Sequence, residues 1–326
     1  MSPTRTPTID VHVTGADLRT ALERDVRTGL EAQPKWLSPV WFYDDRGSEL
    51  FDRITRLPEY YLTRAERRLL EAHALEVAEV SEARTLVELG AGTCDKSRVL
   101  LDAFAKTGTL DRYVPLDVSE GTLWSAATAL ADEYPSLEVH AVVGNFHDHL
   151  DRVPSGGCRL HAFLGSTIGN LDPDERRRFL GDLDRTVASG DRLLLGTDLV
   201  KDPGRLVAAY DDAEGVTAEF NRNVLHVLNR ELGAGFDPER FEHVAVWDAG
   251  PGHMEMRLRS VAEQVVPVEA LDMIVPFGAG EDMRTEISAK FTKEQVTAEL
   301  AAAGFVVERM WEDSEGFLLT LAATSR

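Results

Sequence analysis

The chain has 326 residues, 43% of them hydrophobic and 28% charged, with 35 Lys and Arg against 56 Asp and Glu and a formal net charge of −21. This length and composition exclude disorder for the bulk of the chain and favour one large domain with an insertion, or two domains. The charge disfavours phosphate backbones and anionic lipid as partners.

No stretch approaches the roughly 18 to 20 uninterrupted apolar residues of a membrane helix, and residues 1–20 lack an apolar signal core. The expectation is a soluble, cytoplasmic monomer with neither nucleic acid nor membrane as partner. Cys94 and Cys158 have no metal-ligand spacing and read as unpaired thiols in a reducing compartment, each a small buried hydrophobe.

Residues 1–10 are polar and proline-bearing and read as frayed. Asp17 to Leu30 repeats apolar residues at helical spacing ahead of the Pro34 to Pro39 breaker. From Trp41 to Tyr61 the sequence is aromatic-rich, with WFYD at 41–44, Phe51 and LPEYY at 57–61, which suits a small packed cap or a ligand-facing lid. Thr63 reads as the cap of a helix to about Val80, with Glu66 completing a capping box.

From Arg84 strands and helices alternate. Strands are expected at Thr85–Leu89, Arg112–Asp117, Leu137–Val143, Leu160–Leu164 and Arg192–Gly196, with helices from about Asp95, Glu120 and Asp172 between them. Such alternation predicts an α/β fold, a parallel sheet with helices on both faces and a crevice at the strands' carboxyl ends where the order reverses. The pattern then breaks. Residues 203–232 read as helices with Phe220, Val224, Leu225 and Leu228 on one face, and runs at 254–258, 264–268 and 273–277 suggest a small antiparallel unit. At Phe291 the rhythm resumes with a helix and two strands, Phe305–Glu312 and Gly316–Ala322, that most economically return to the first sheet. The expected division is 61–197 with 291–326 as a cofactor domain, and 10–60 with 198–290 as a discontinuous α+β substrate-binding domain.

Val87 to Thr93 places two glycines, Gly90 and Gly92, in the first strand-to-helix turn, either an ordinary tight turn or a close approach to a ligand. The dinucleotide fingerprint needs a third glycine at position 95, where this chain has Asp95, and a carboxylate beside a pyrophosphate is unfavourable. A cofactor without phosphates fits better, and S-adenosylmethionine, with its sulfonium and ammonium, suits the negative charge. Asp117 would accept from both ribose hydroxyls, and Asn145 and Phe146 would meet the adenine edge and face. His147 and His149 lack a third ligand and read as a solvated helix start, and no metal is expected. His161 inside the fourth strand reads as a satisfied core histidine.

The segments KWLSPVWFYDDRGSELFDRITRLPEYYLTRAE, VELGAGTCDKS, FLGSTIGNL, GTDLVKDPGRLVAAYDDAEGVTAEFNRNVL and TEISAKF resemble the histidine-specific N-alpha-methyltransferases of ergothioneine biosynthesis. The resemblance runs from about residue 19 to 320. It implies a Rossmann-like class I methyltransferase sheet, S-adenosylmethionine as methyl donor, and trimethylation of the α-amine of L-histidine to hercynine through methylated intermediates. By the same resemblance Tyr43 lies beside the sulfonium, with Gly90, Lys96, Asp117, Asn145 and Phe146 as further cofactor contacts. Tyr60, Gly165, Asn170 and Tyr210 hold the substrate's amino and carboxylate ends, Glu286 and Ser288 grip the imidazole, and Met256 and Phe51 form apolar walls. The family often has Asp-Phe where this chain has Asn145-Phe146.

In-line displacement at a sulfonium needs a positioned neutral amine rather than a strong nucleophile. Tyr43, Tyr60 or water would assist loss of the ammonium proton. A carboxylate facing imidazole penalises substrates that cannot pair with it. The alternatives are the same reaction on another amino acid such as tryptophan, which Glu286 and Ser288 argue against; an NAD-dependent oxidoreductase, which Asp95 argues against; and a non-catalytic cofactor-binding module.

Overall fold

A computed structural model describes residues 6–326. The chain divides into two compact units: residues up to Thr14 with Arg64–Leu199 and Phe291–Arg326, and Gly15–Thr63 with Val200–Lys290. The seams fall at Thr63/Arg64 and Leu199/Val200 rather than at 60/61 and 197/198, and residues 10–14 belong to the first unit rather than the second.

The described residues of the first unit form an eight-stranded sheet in the order Thr8–Val11, Glu138–Val143, Arg112–Asp117, Thr85–Leu89, Arg159–Phe163, Arg192–Asp198, Phe317–Thr324, Phe305–Glu312. The first six strands run parallel; Phe317–Thr324 runs antiparallel to both its neighbours, so Phe305–Glu312 points the same way as the first six. Thr85–Leu89 and Arg159–Phe163 are buried along their whole length, which is why they read as mostly apolar runs despite Glu88, Arg159 and His161. The order reverses between them. The carboxyl ends of four neighbouring strands therefore deliver Gly90, Asp117, Asn145 and Gly165 to one edge of the sheet.

Three local expectations are corrected. Residues 8–11 are not frayed: they pair in parallel with His140–Val143, while residues 1–5 of that expectation lie outside the described residues. Glu66 closes no capping box, because its side chain is buried and bound elsewhere in the first unit. Of the helix start expected at His147 to His149, only a short 3-10 turn forms: His147 and Asp148 lie in a turn held by Asn145, and His149 precedes the 3-10 turn Leu150–Arg152. The capping box at Asp172 and Glu175 is formed, and starts the helix Pro173–Thr186.

In the second unit, Gly15–Glu31 buries Leu22, Val26 and Leu30, and Val216–Leu232 buries Phe220, Val224, Leu225 and Leu228, as their helical spacing requires. The expected antiparallel unit is two sheets. His253–Ser260 lies between Phe241–Asp248 and Asp282–Ala289, with Lys35–Trp36 at the edge, while Gln264–Val268 pairs with Met273–Phe277 in a second sheet and Val268 also bridges to Ala234. The strands 241–248 and 282–289 escape sequence reading because charged residues interrupt them, and in the second a bulge between Arg284 and Glu286 breaks the period of two.

Candidate active site

On the sheet side, Gly90 and Gly92 adopt φ of 71° and 52°, a region that disfavours other residues. A Cβ at either would meet nothing within 4 Å, so conformation rather than crowding requires glycine and the loop's surroundings are open. Asp117 braces this loop: Oδ2 accepts from Gly92 N at 2.9 Å and Oδ1 from Ser119 N at 3.0 Å. Each oxygen keeps a second lone pair for a ligand hydroxyl.

Glu88 lies beneath the loop. It accepts from the Ser97 and Tyr113 hydroxyls, and burial pushes its carboxyl up, so it ties strand to helix instead of facing a ligand. The neighbouring Cys94 thiol is pushed up to about 12, first by burial and then by Glu88, and is inert at neutral pH. Cys158 is only half-buried. His161 is buried, but its Nε2 lies 3.8 Å from Asp191, beyond hydrogen-bond range, so the expectation of a satisfied core histidine is corrected.

Lys96 donates to Glu66 at 2.5 Å, and the other Glu66 oxygen accepts from Gly165 N at 2.6 Å. Glu66 is fully buried and joins two residues that the sequence analysis singled out separately. Its TRAE context, in the first turn of the helix Leu62–Ser81, mimics a capping box, which masked it. Gly165 has φ of 77°, and Asn170, half-buried at the end of the short 3-10 turn Thr167–Asn170, donates no side-chain hydrogen bond to any described residue. In Asn145, Oδ1 accepts from His147 N and Asp148 N and Nδ2 donates to Asp148, so the carbonyl serves its own loop while a second Nδ2 hydrogen remains for a ligand. That loop carries Phe146, which packs against Phe163 and Phe179 at ring separations of 5.2 and 5.5 Å.

In the second unit an aromatic row is assembled. Tyr43 meets Phe51 and Phe220 edge-on, each at 5.6 Å; Phe51 meets Tyr60 at 6.2 Å, and Tyr60 meets Tyr210 at 6.4 Å. Asp44 fixes the first residue of this row. It caps the helix Asp45–Ile54 through Gly47 N and also accepts from Asn223 and Arg230.

Behind the row, the strand Asp282–Ala289 presents Glu286 opposite Met256 and Ser288 opposite Met254. Burial pushes the Glu286 carboxyl up to about 7 against the pull of the Lys290 ammonium, and no described residue donates a hydrogen bond to it. Ser288 accepts from Tyr210 at 2.8 Å and from Lys290 at 3.0 Å. Tyr210 thus joins the Glu286 and Ser288 group, and Lys290, in the last position of TEISAK, is a member that sequence reading missed.

The residues singled out do not sort as their assigned roles suggest. Gly90, Lys96, Asp117, Asn145, Phe146, Gly165 and Asn170 lie in the first unit, so Gly165 and Asn170 share the cofactor residues' scaffold. Tyr43, Phe51, Tyr60, Tyr210, Met256, Glu286 and Ser288 lie in the second. The open glycine turn and Asp117 beside it suit a ligand with ribose hydroxyls. Asp95, exposed beside this turn, disfavours a pyrophosphate.

A family model described as "Histidine-specific methyltransferase, SAM-dependent" matches residues 22–324. The chain is 57% identical over 304 residues to a protein of Mycobacterium tuberculosis named histidine N-alpha-methyltransferase, covering 93% of this chain and 95% of that one. It is 56% identical to a protein of the same name from Mycolicibacterium smegmatis, over 93% of this chain and 94% of that one. It is also 29% identical to ergothioneine biosynthesis protein 1 of Neurospora crassa, over 94% of this chain and 36% of that one.

Proposed function

Because the chain belongs to the histidine-specific, S-adenosylmethionine-dependent methyltransferase family, we propose that it trimethylates the α-amino group of L-histidine to hercynine, the first step of ergothioneine biosynthesis. The observation that carries the histidine reading is Glu286, a buried carboxylate that no described residue donates to, on the same strand face as the Ser288 hydroxyl. A ring N–H would satisfy it. An indole with its ring nitrogen elsewhere would leave it buried and unpaired, which argues against tryptophan as substrate.

Gly90, Lys96, Asp117 and Phe146 would hold S-adenosylmethionine, whose sulfonium supplies an electrophilic methyl group when bound. In this reading Gly165 and Asn170 with Tyr60 orient the substrate's amino and carboxylate ends, and Met256 and Phe51 wall the ring. The α-ammonium releases one proton for each methyl it gains, three in all. Tyr43 or Tyr60 assists the loss of each proton, or water carries it to solvent, and removal is eased where burial and nearby positive charge disfavour the ammonium. Aromatic faces accommodate the growing trimethylammonium through cation–π contact, which the row of Tyr43, Phe51 and Tyr60 supports. The substrates are free L-histidine and its methylated intermediates, and the net charge of −21 speaks against nucleic acid or an anionic membrane as partner. We read the enzyme as a cytoplasmic monomer.

The test is incubation of the purified protein with S-adenosylmethionine and each of the twenty amino acids, read by mass. Gains of one, two and three methyl groups on histidine are expected. No gain on histidine overturns the proposal.

A further inference from the structure

Lys290 follows the strand that carries Glu286 and Ser288 and is itself only 2% exposed. Its Nζ donates to the Tyr210 hydroxyl at 2.8 Å and to Ser288 Oγ at 3.0 Å, and it stands 4.8 Å from the Tyr210 ring centroid. The Tyr210 hydroxyl in turn donates to Ser288 Oγ at 2.8 Å. The three groups close a triangle in which Lys290 can only donate and the Tyr210 hydroxyl, accepting from it, donates onward to Ser288 Oγ.

An ammonium has three donors and no lone pair, so any hydroxyl touching it must accept. Ser288 Oγ accepts twice, from Lys290 and from Tyr210, and a hydroxyl oxygen has two lone pairs. Its own hydrogen must therefore point out of the triangle. Glu286, two residues earlier on the same strand, lies on the same face, and when ionised it can only accept. One edge of the strand thus offers a fixed donor beside a carboxyl group that, once ionised, can only accept.

Resting on the histidine reading above, we infer that Lys290 is a specificity-determining positioning residue: by filling a lone pair on Ser288 it locks that hydroxyl as a donor, so Ser288 and Glu286 together select a ring bearing one N–H and one bare nitrogen. Neutral imidazole is that ring. An imidazolium presents a second N–H to a hydroxyl that cannot accept it. A pyrrole or indole presents C–H where the hydroxyl needs a lone pair, leaving a buried donor unpaired. Without Lys290 the hydroxyl turns, and the distinction fades.

The experiment compares kcat and KM of the full-length enzyme for L-histidine and for the 2-pyrrolyl and 3-pyrrolyl analogues of alanine. Each analogue keeps one ring N–H and replaces the other ring nitrogen by C–H at nearly constant shape. The wild-type enzyme is expected to prefer histidine over the better analogue by on the order of tenfold to a hundredfold in kcat/KM, carried by KM. Lys290→Met, which keeps the aliphatic bulk, and Tyr210→Phe, which removes one of the two donors to Ser288, are both expected to cut that preference to within about threefold as the KM for histidine rises. Circular dichroism and S-adenosylmethionine affinity establish that the variants are folded.

A lysine with a merely structural role would weaken histidine and both analogues alike, so a folded variant that retains the full preference overturns the inference. If Lys290→Met does not fold, Tyr210→Phe decides by the same criterion. A wild-type enzyme that uses a pyrrolyl analogue as well as histidine overturns it without any variant. Failure of the wild-type enzyme to methylate histidine at all instead defeats the underlying reading of the site.

Discussion

Gly196 in the strand Arg192–Asp198 has no side chain because Glu66 occupies the space: a Cβ there would stand closer than 3.0 Å to Glu66 Oε1 and at 3.3 Å from the Phe317 ring. Glu66 cannot yield without releasing Lys96 or Gly165. Gly196→Ala should destabilise the protein by about 1–3 kcal/mol through overpacking and should weaken S-adenosylmethionine binding. Thermal denaturation and titration calorimetry check both effects, and an unaltered melting temperature would show that Glu66 has room to move.

Gly47 is fixed in the same way by backbone. A Cβ there would come closer than 3.0 Å to the Phe42 carbonyl and to 3.1 Å from Asn223 Nδ2, and the carbonyl has no flexible end to swing aside. Gly47→Ala should displace the cap at Asp44 and with it Tyr43, costing about 1–3 kcal/mol. Reduced turnover together with lower urea resistance is the expected pair of results.

Glu286 makes stability depend on pH. Its folded value of about 7 lies above the ordinary 4.5, so between these values the folded protein holds a proton that the unfolded chain has lost. Its contribution is fully present below about pH 4.5 and is lost as pH rises to about 7, a difference of about 3 kcal/mol. Glu286→Gln should remove that slope. Denaturant midpoints of both proteins from pH 4.5 to 7.5, compared by difference, cancel other titrating groups; parallel curves would refute the assignment.

Asp117 braces Gly92 and Ser119 and is proposed to receive the ribose. Asp117→Ala should raise the dissociation constant for S-adenosylmethionine by on the order of tenfold to a hundredfold, or about 1–3 kcal/mol. Unchanged affinity by calorimetry would take Asp117 out of the cofactor site.

Much of the first unit is legible in one dimension. Its central strands are buried along their length, so they stand out as apolar runs, and the glycine turn and the acidic end of Arg112–Asp117 sit at their ends by chain order alone. The strand Thr8–Val11 is not legible in this way. Its residues are polar enough to read as a tail, and only pairing with His140–Val143 gives their backbone partners.

The sequence by itself determined the alternating sheet, the crevice residues and, through long motifs, the identities gathered around Tyr43 and Glu286. Such signals are local: a period, a turn residue, a run of matched positions. Tertiary structure alone decided that Glu66 joins Lys96 to Gly165 and that Lys290 closes a triangle with Tyr210 and Ser288. A buried polar group is settled by whichever partner folding brings within hydrogen-bond reach, and Lys290 and Tyr210 are 80 residues apart in the chain.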